Sequence, residues 1–266
     1  AERAGSQEII AKGKAELVES LPPRPEGVAI LNMDDPWVRW MQDKTEARVL
    51  SYGIEEPADL TASEIKPQGL EGITCTLNYQ GQSYLVRSPL LGEFSTYTIL
   101  RGTAVALAMG LDWEMIKTGL STTHIDLRMQ PIILSNGTTI LDDTYNASPA
   151  STIAALKLLG DLTGRRVAVL GDMLELGQYE QQGHQSVGAF AVSAADVLIL
   201  VGERSKITAK AALEKGFPEI NCHWYPDSNQ AAEPVAEMIR KGDTVLIKGS
   251  NSMQMNRIIR ALEEQA

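Results

Sequence analysis

The sequence predicts an α/β chain folded as two domains, and three observations carry that reading. In residues 129–266, short apolar runs ("RRVAVLGDM", "VLILVG", "DTVLIKGS") alternate with helical stretches of ten or more residues. That is the pattern of parallel strands joined by right-handed helical crossovers. Residues 1–122 instead mix helices, single strands and a hairpin, so the halves differ in kind. A length of 266 residues suits one large or two ordinary domains, and an apolar fraction of 44% is ample for a core.

The elements follow in order. "SQEIIAKGKAELVESL" has Ser6 as an N-cap and apolar residues at Ile9, Ile10, Leu17, Val18 and Leu21, a helix weakened by Gly13. "GVAILN" reads as a buried strand ending at Asn32, "DDPWVRWM" restarts a helix at Pro36, and "RVLSYG" is a further strand. "GITCTLNYQGQSYLVRS" alternates Ile73, Cys75, Leu77 and Tyr79, then turns near Gly81, which predicts a hairpin. "YTILRGTAVALAMGL" and "DWEMIKTGL" predict two helices broken at Gly110, and the halves join near residues 122–128. "MQPIILSNGTTILDD" is a second hairpin. Helices near 149–161, 180–194, 205–215, 228–240 and 252–264 separate the later strands, the first capped by Ser148 with Pro149 at its first position.

Composition excludes several classes. A net charge of −10 argues against broad binding to nucleic acid or anionic membrane. No apolar run is long enough to span a bilayer. "AERAGSQEII" lacks a hydrophobic region after its charges and does not read as a signal peptide. Cys75 and Cys222 stand in no metal-like spacing and predict reduced, buried thiols in a cytoplasmic protein. No "G-x-G-x-x-G" follows a strand, so a dinucleotide-binding dehydrogenase fits poorly.

Three polar clusters, "DDTYN", "GDMLELG" and "KGSNSM", each follow directly on a strand of the second half. Loops at the carboxyl ends of parallel strands converge, so Asp143, Tyr145, Asn146, Asp172, Glu175, Lys248 and Ser250 are expected to share one cleft. Plainer readings stand beside this one. Asp172 before "MLEL" is an ordinary helix start, and Lys248 alone reads as a solvated lysine. Three polar strand ends in one domain favour a site.

In order and spacing, "LDDTYNASPAS…AALKLL", "RRVAVLGDMLELG" with His184 following, and "GDTVLIKGSNSM" resemble the C-terminal domain of the Mur ligases. "GSQEIIAKGKAEL" and "GVAILNMDDPWV" resemble the central domain of the same family, in the branch that adds D-alanyl-D-alanine (D-Ala-D-Ala) to a UDP-N-acetylmuramoyl-tripeptide (UDP-MurNAc-tripeptide). The resemblance implies a partial ATPase-type central domain over residues 1–124 and a Rossmann-like C-terminal domain with a mostly parallel sheet over 125–266. It also implies an ATP-dependent acid–amino-acid ligase of peptidoglycan precursor synthesis, cytoplasmic and monomeric, with no nucleic-acid partner and no membrane insertion. In such ligases ATP and magnesium (Mg) activate a carboxylate as an acyl phosphate, which an amine then attacks.

The resemblance carries roles over residue by residue. The family's carbamoylated, Mg-holding lysine matches Lys14, and carbamoylation turns a cation into an acceptor for a hard metal. Its nucleotide-contacting arginine matches Arg128, whose planar guanidinium suits a phosphate. Its ribose-binding aspartate matches Asp143, and Asn32 falls on the nucleotide side. Tyr145, Asn146, Asp172, Glu175, Lys248 and Ser250 would face the incoming dipeptide and the peptide stem.

Departures from the family pattern are equally legible. The family's phosphate loop is expected well upstream of Lys14 and nothing in these 266 residues resembles it; the histidine expected just before "AER" and the UDP-binding domain are not among them either. The adenine-side "G-x-H-N-x-x-N" stands here as "GEFSTYT", with Phe94, Ser95 and Thr98 replacing the histidine and both asparagines. "K-G-S-R-S-M-G" stands as "KGSNSMQ", with Asn251 and Gln254, and Leu127 replaces a glycine. The expectation is that this polypeptide alone has no ligase turnover, because phosphoryl transfer rests on groups positioned around the phosphates. It is then a fragment of a longer ligase, or a non-catalytic binding or scaffold protein of the same fold. A polyglutamate-adding ligase fits "DDTYNA" and "GDMLELG" less well.

Overall fold

Ser6 caps the first helix through its Oγ, which accepts the Ile9 N–H, and α1 runs Gln7–Glu19 in the computed structural model, which describes residues 6–122 and 129–266. The chain divides into two units, Ala1–His124 and Ile125–Ala266. In the first, α1 is followed by β1 (Val28–Asn32), α2 (Pro36–Trp40), β2 (Arg48–Gly53), β3 (Leu60–Pro67), β4 (Ile73–Tyr79), β5 (Gln82–Ser88), α3 (Ser95–Ala108) and α4 (Trp113–Ser121). The sheet order is β1-β2-β3-β4-β5, parallel through β3 and antiparallel beyond it. β3 was not expected from the sequence. Its register shifts between Ser63 and Lys66, Glu64 adopts φ 49°, and its second half is exposed, so it carries no clean alternation.

Two cores flank this sheet. Ala29, Leu31 and Met33 pack with Ala11, Ala15 and Val18 of α1, while Leu60, Cys75 and Leu77 pack with Ile99, Leu100 and Ala104 of α3. Successive strand residues point to opposite faces, which is why one strand serves both. The buried stripe of α1 is Ala11, Ala15 and Val18, so of the predicted apolar positions Val18 faces the core while Ile9 and Leu17 face outward.

The second unit contains β6 (Gln130–Ile133), β7 (Thr139–Asp143), α5 (Pro149–Asp161), β8 (Arg166–Gly171), α6 (Glu180–Ala194), β9 (Val197–Val201), α7 (Ser205–Glu214), β10 (Cys222–Tyr225), α8 (Ser228–Met238), β11 (Thr244–Lys248) and α9 (Asn256–Gln265). Sheet order is β10-β9-β8-β11-β7-β6, parallel throughout except for the β6–β7 hairpin. Val167, Val169, Ile199 and Val245 pack against α8 and α9 on one face. The connections β7–β8, β8–β9 and β9–β10 all run one way along the sheet, and the return from β10 to β11 reverses. With right-handed crossovers, α5, α6 and α7 therefore cover the opposite face, and the direction changes between β8 and β11.

Three local expectations are corrected. No helix begins at "MLEL"; residues 174–176 are irregular and α6 starts at Glu180, after a short turn in which Glu175 and Gly177 take positive φ. α9 begins at Asn256 rather than 252, because Asn251–Met253 form a 3₁₀ turn closed by Gln254 at φ 50°. β10 went unpredicted: "CHWY" is short and polar, and each residue is only half-buried at the sheet edge. Cys222 lies on it, so of the two free thiols Cys75 alone is buried.

Candidate active site

The strand-end cluster of the second unit is built by register. Lys248 closes β11 directly beside Asp143 at the end of β7 and Leu170, one residue before the end of β8. Side chains paired this way in parallel strands point to the same side of the sheet. The Lys248 ammonium sits 2.5 Å from Asp143 Oδ2 and donates to the Asn146 carbonyl at 2.7 Å. Lys248 is 2% exposed and Asp143 7%, so the reading of Lys248 as a solvated lysine is overturned.

The "DDTYNASP" loop then has a role for each polar residue. Asp142 Oδ1 accepts the Thr144 N–H and hydroxyl and turns the chain outward. Asn146 Oδ1 accepts the Ala147 N–H. Ser148 and Ser151 form a reciprocal capping box ahead of α5, with Pro149 inside the first turn. Tyr145 is left 53% exposed at the tip.

The loops after β8 and β11 are tied together. Ser250 N–H donates to the Asp172 carbonyl at 3.0 Å, and Ser250 Oγ accepts the Leu174 N–H at 2.9 Å. The backbones of Gly171 and Gly249 touch beneath them: a Cβ on Gly171 would stand 3.3 Å from Gly249 Cα and 2.9 Å from Met255 Sδ. Met255 thus fills the point where the chain direction changes, the place an open α/β sheet otherwise leaves for a ligand. Glu175 is exposed on the same loop.

The Asp172 side chain faces away, toward β9 and α7. Its Oδ1 accepts the Ser205 N–H at 2.7 Å, so it caps α7 rather than a helix of its own. Gly202, at φ 108°, makes room: a Cβ there would lie 2.4 Å from Asp172 Oδ1. Burial pushes the Asp172 carboxyl above its ordinary value against the N–H groups of Ser205 and Arg204. His184, fully buried, bonds Thr208 Oγ1 through Nδ1 at 2.9 Å, and burial pushes its imidazole below the ordinary value, which favours the neutral ring. The structure therefore brings Asp143, Asn146, Lys248 and Ser250 to one edge of the sheet and turns the Asp172 carboxylate away from them.

In the first unit, Asn32 ends β1 half-buried, and its Oδ1 accepts the Asp34 N–H at 3.1 Å. Asp34 itself was missed by sequence reasoning. It accepts the N–H groups of Ile54 (2.7 Å), Glu55 (3.1 Å) and Glu56 (2.8 Å) and the Tyr97 hydroxyl (2.9 Å). Burial raises its carboxyl, but those four donors outweigh it and hold the group below its ordinary value. The signal was the doublet "DD" at a strand end, which the sequence reading used only to start α2. Phe94, at the start of α3, is 57% exposed and lies 5.6 Å from the Tyr97 ring.

Lys14 is exposed on α1. Among the described residues no group of three His, Cys, Asp or Glu could hold a metal ion. Arg128 lies outside the described residues. No described helix is long and apolar enough to cross a membrane.

Two family models decide the comparison, "Mur ligase middle domain" over residues 1–106 and "Mur ligase, glutamate ligase domain" over 127–251. The chain belongs to the Mur ligase family. The UDP-N-acetylmuramoyl-tripeptide–D-alanyl-D-alanine ligase of Escherichia coli (strain K12) is 32% identical over 266 residues, covering 98% of this chain and 57% of that protein. The ligase of that name from Bacillus subtilis (strain 168) is 30% identical, covering 98% and 56%. A crystal structure of MurF from Acinetobacter baumannii matches with a TM-score of 0.83 at 28% identity, over 98% of this chain and 56% of that one. The MurF ligase of Thermotoga maritima, solved in complex with ADP, matches at 0.81 over 99% and 59%, but at 21% identity this speaks to the fold alone. The Mur ligase chain described here thus spans a little over half the length of these relatives.

Proposed function

We propose that residues 1–124 and 125–266 are the central-domain portion and the C-terminal domain of an ATP-dependent acid–amino-acid ligase of cytoplasmic peptidoglycan precursor synthesis. Its substrates are D-Ala-D-Ala as the amine and UDP-MurNAc-tripeptide as the carboxylate. The observation that carries this reading is the meeting of the β7, β8 and β11 loops around Asp143, Asn146, Lys248 and Ser250. The names of the E. coli and B. subtilis relatives supply the substrates.

The residues fit part of a nucleotide. A carboxylate has about four lone-pair sites, so Asp143 can accept a ribose hydroxyl while one oxygen stays on Lys248. The phosphates are a different matter, since the 266 residues contain no G-x-x-x-x-G-K-[ST]. Magnesium is not matched by the described residues either, with Lys14 exposed and no acidic group of three to complete a site. ATP supplies the activation of the carboxylate, and the residues here bind and orient. They hold the ribose side and shape the loop edge at which an amine would stand.

The test is calorimetric titration of the chain with ADP and with D-Ala-D-Ala, beside an assay for ADP release from ATP with both substrates present. The expected result is binding of both ligands and no release by the chain alone. Failure of both to bind, or turnover without an added phosphate loop, would overturn the proposal. One observation favours the non-catalytic alternative. Ser95, in place of an asparagine, donates its hydroxyl back to the Leu91 carbonyl at 2.5 Å. Under that alternative ligand binding survives, with no turnover even when a phosphate-loop domain is supplied separately.

A further inference from the structure

The geometry points to Lys248 as a positioning residue that holds Asp143 and the 143–146 loop in shape for a nucleotide, rather than a group that meets the dipeptide. The inference rests on the nucleotide reading above. Three observations carry it. Lys248 is buried to 2% exposure, so its ammonium is presented to the protein interior and not to a cleft. It bridges Asp143 Oδ2 and the Asn146 carbonyl, three residues further along the chain, and so closes the turn that carries Tyr145 and leads to the Ser148 cap of α5. Its backbone is fixed by ladders on both sides, to β7 at Asp143 and to β8 at Leu170, so the side chain works from a rigid strand.

The chemistry needs a lysine. A buried carboxylate without a counter-charge takes up a proton or draws water in. The ammonium beside Asp143 gives that carboxylate a charged donor on one oxygen, while its compact head and rotatable donors reach an oxygen of each kind. Arginine, with a planar fork on a bulkier head, does not reproduce that pair of contacts inside the same volume.

Three variants of the chain test this: Lys248→Met, Asp143→Asn and the double substitution. The readouts are peptide-resolved hydrogen exchange over residues 143–148, ADP affinity and D-Ala-D-Ala affinity. Lys248→Met is expected to speed exchange in that loop while β9 stays protected, and to weaken ADP by about tenfold, within the usual coupling of contacting residues. The double variant is expected to bind ADP no worse than Asp143→Asn, because Lys248 acts through the carboxylate. If Lys248→Met does not fold, the comparison of the neutral double variant with Asp143→Asn still reads the loop: faster exchange in the double supports the bridge to Asn146, and equal exchange refutes it. Multiplied losses of ADP affinity in the double, or a Lys248→Met that loses D-Ala-D-Ala while loop exchange and ADP affinity stay unchanged, overturn the proposal. A parent chain that binds no ADP removes the nucleotide role. The exchange result then separates that failure from a failure of the bridge.

Discussion

Asp34 is the residue whose removal the structure makes most quantitative. Asp34→Ala removes the acceptor of three backbone N–H groups and the Tyr97 hydroxyl. Glu55 and Glu56 are exposed, so their N–H groups recover water and count for little, whereas Ile54 and Tyr97 are half-buried. Hydrogen bonds to a charged group contribute roughly 1.5–3 kcal/mol each, so even at the lower end these two place the loss at about 3 kcal/mol. Three of the four tryptophans, Trp37, Trp40 and Trp113, lie in the first unit, so tryptophan fluorescence during urea unfolding reports mainly on it. With a urea slope of about 1–1.5 kcal/mol/M for a unit of this size, the midpoint should fall by about 2–3 M. The pH dependence has a definite sign. The folded carboxyl lies below its unfolded value, so the contribution is present above the ordinary carboxyl range and is lost as pH falls through the folded pKa. Tyr97→Phe should cost less than Asp34→Ala and nothing further in the Asp34→Ala background. An Asp34→Ala midpoint within error of the parent, or a Tyr97→Phe cost that persists without Asp34, would refute the account.

Other outcomes follow from single contacts. Gly202→Ala puts a Cβ against the Asp172 carboxylate at a backbone angle only glycine takes easily, and should cost about 2–4 kcal/mol in denaturant unfolding of the second unit. Asp172 should show the opposite pH behaviour to Asp34: its folded carboxyl is raised by burial, so its contribution is greatest below the unfolded pKa and declines as pH rises through the folded one. Asp172→Asn, measured by thermal unfolding at neutral pH, should therefore cost less than Asp172→Ala. Cys222, half-exposed though burial and Glu219 push its thiol up, should react slowly with iodoacetamide in the native protein, while Cys75, buried and pushed up to about 11, should react only on unfolding; peptide mass spectrometry reads both.

The parallel sheet of the second unit was legible because its central strands are covered on both faces, and a strand of that kind is written as an unbroken apolar run. "VLILV" and "TVLIK" have no other good reading, and a lysine ending such a run already marked the strand's carboxyl end. The strands that escaped, β3 and β10, are ones whose burial is partial, so their sequences carry polar and bulged positions that period alone does not sort. The same distinction governs the site. Which residues gather at the strand ends follows from chain order and register, and Asp143 and Lys248 were found that way. Where each side chain points does not follow.

Asp172 shows why. Its backbone carbonyl joins the cluster by accepting the Ser250 N–H, while its carboxylate turns to cap α7 thirty-three positions later, through space opened by a glycine at 202. Neither Gly202 nor Ser205 stands near "GDMLELG" in sequence, so no local pattern could have named the carboxylate's partner. Lys248 is the converse case. In sequence it is a lysine after three apolar residues, as consistent with a solvated tip as with a ligand contact, and only the adjacency of β7 and β11 supplies the carboxylate it pairs with. A polar strand end is therefore good evidence of place and weak evidence of role. In this chain the carboxylates of Asp142 and Asp172 and the ammonium of Lys248 are each engaged in holding a loop.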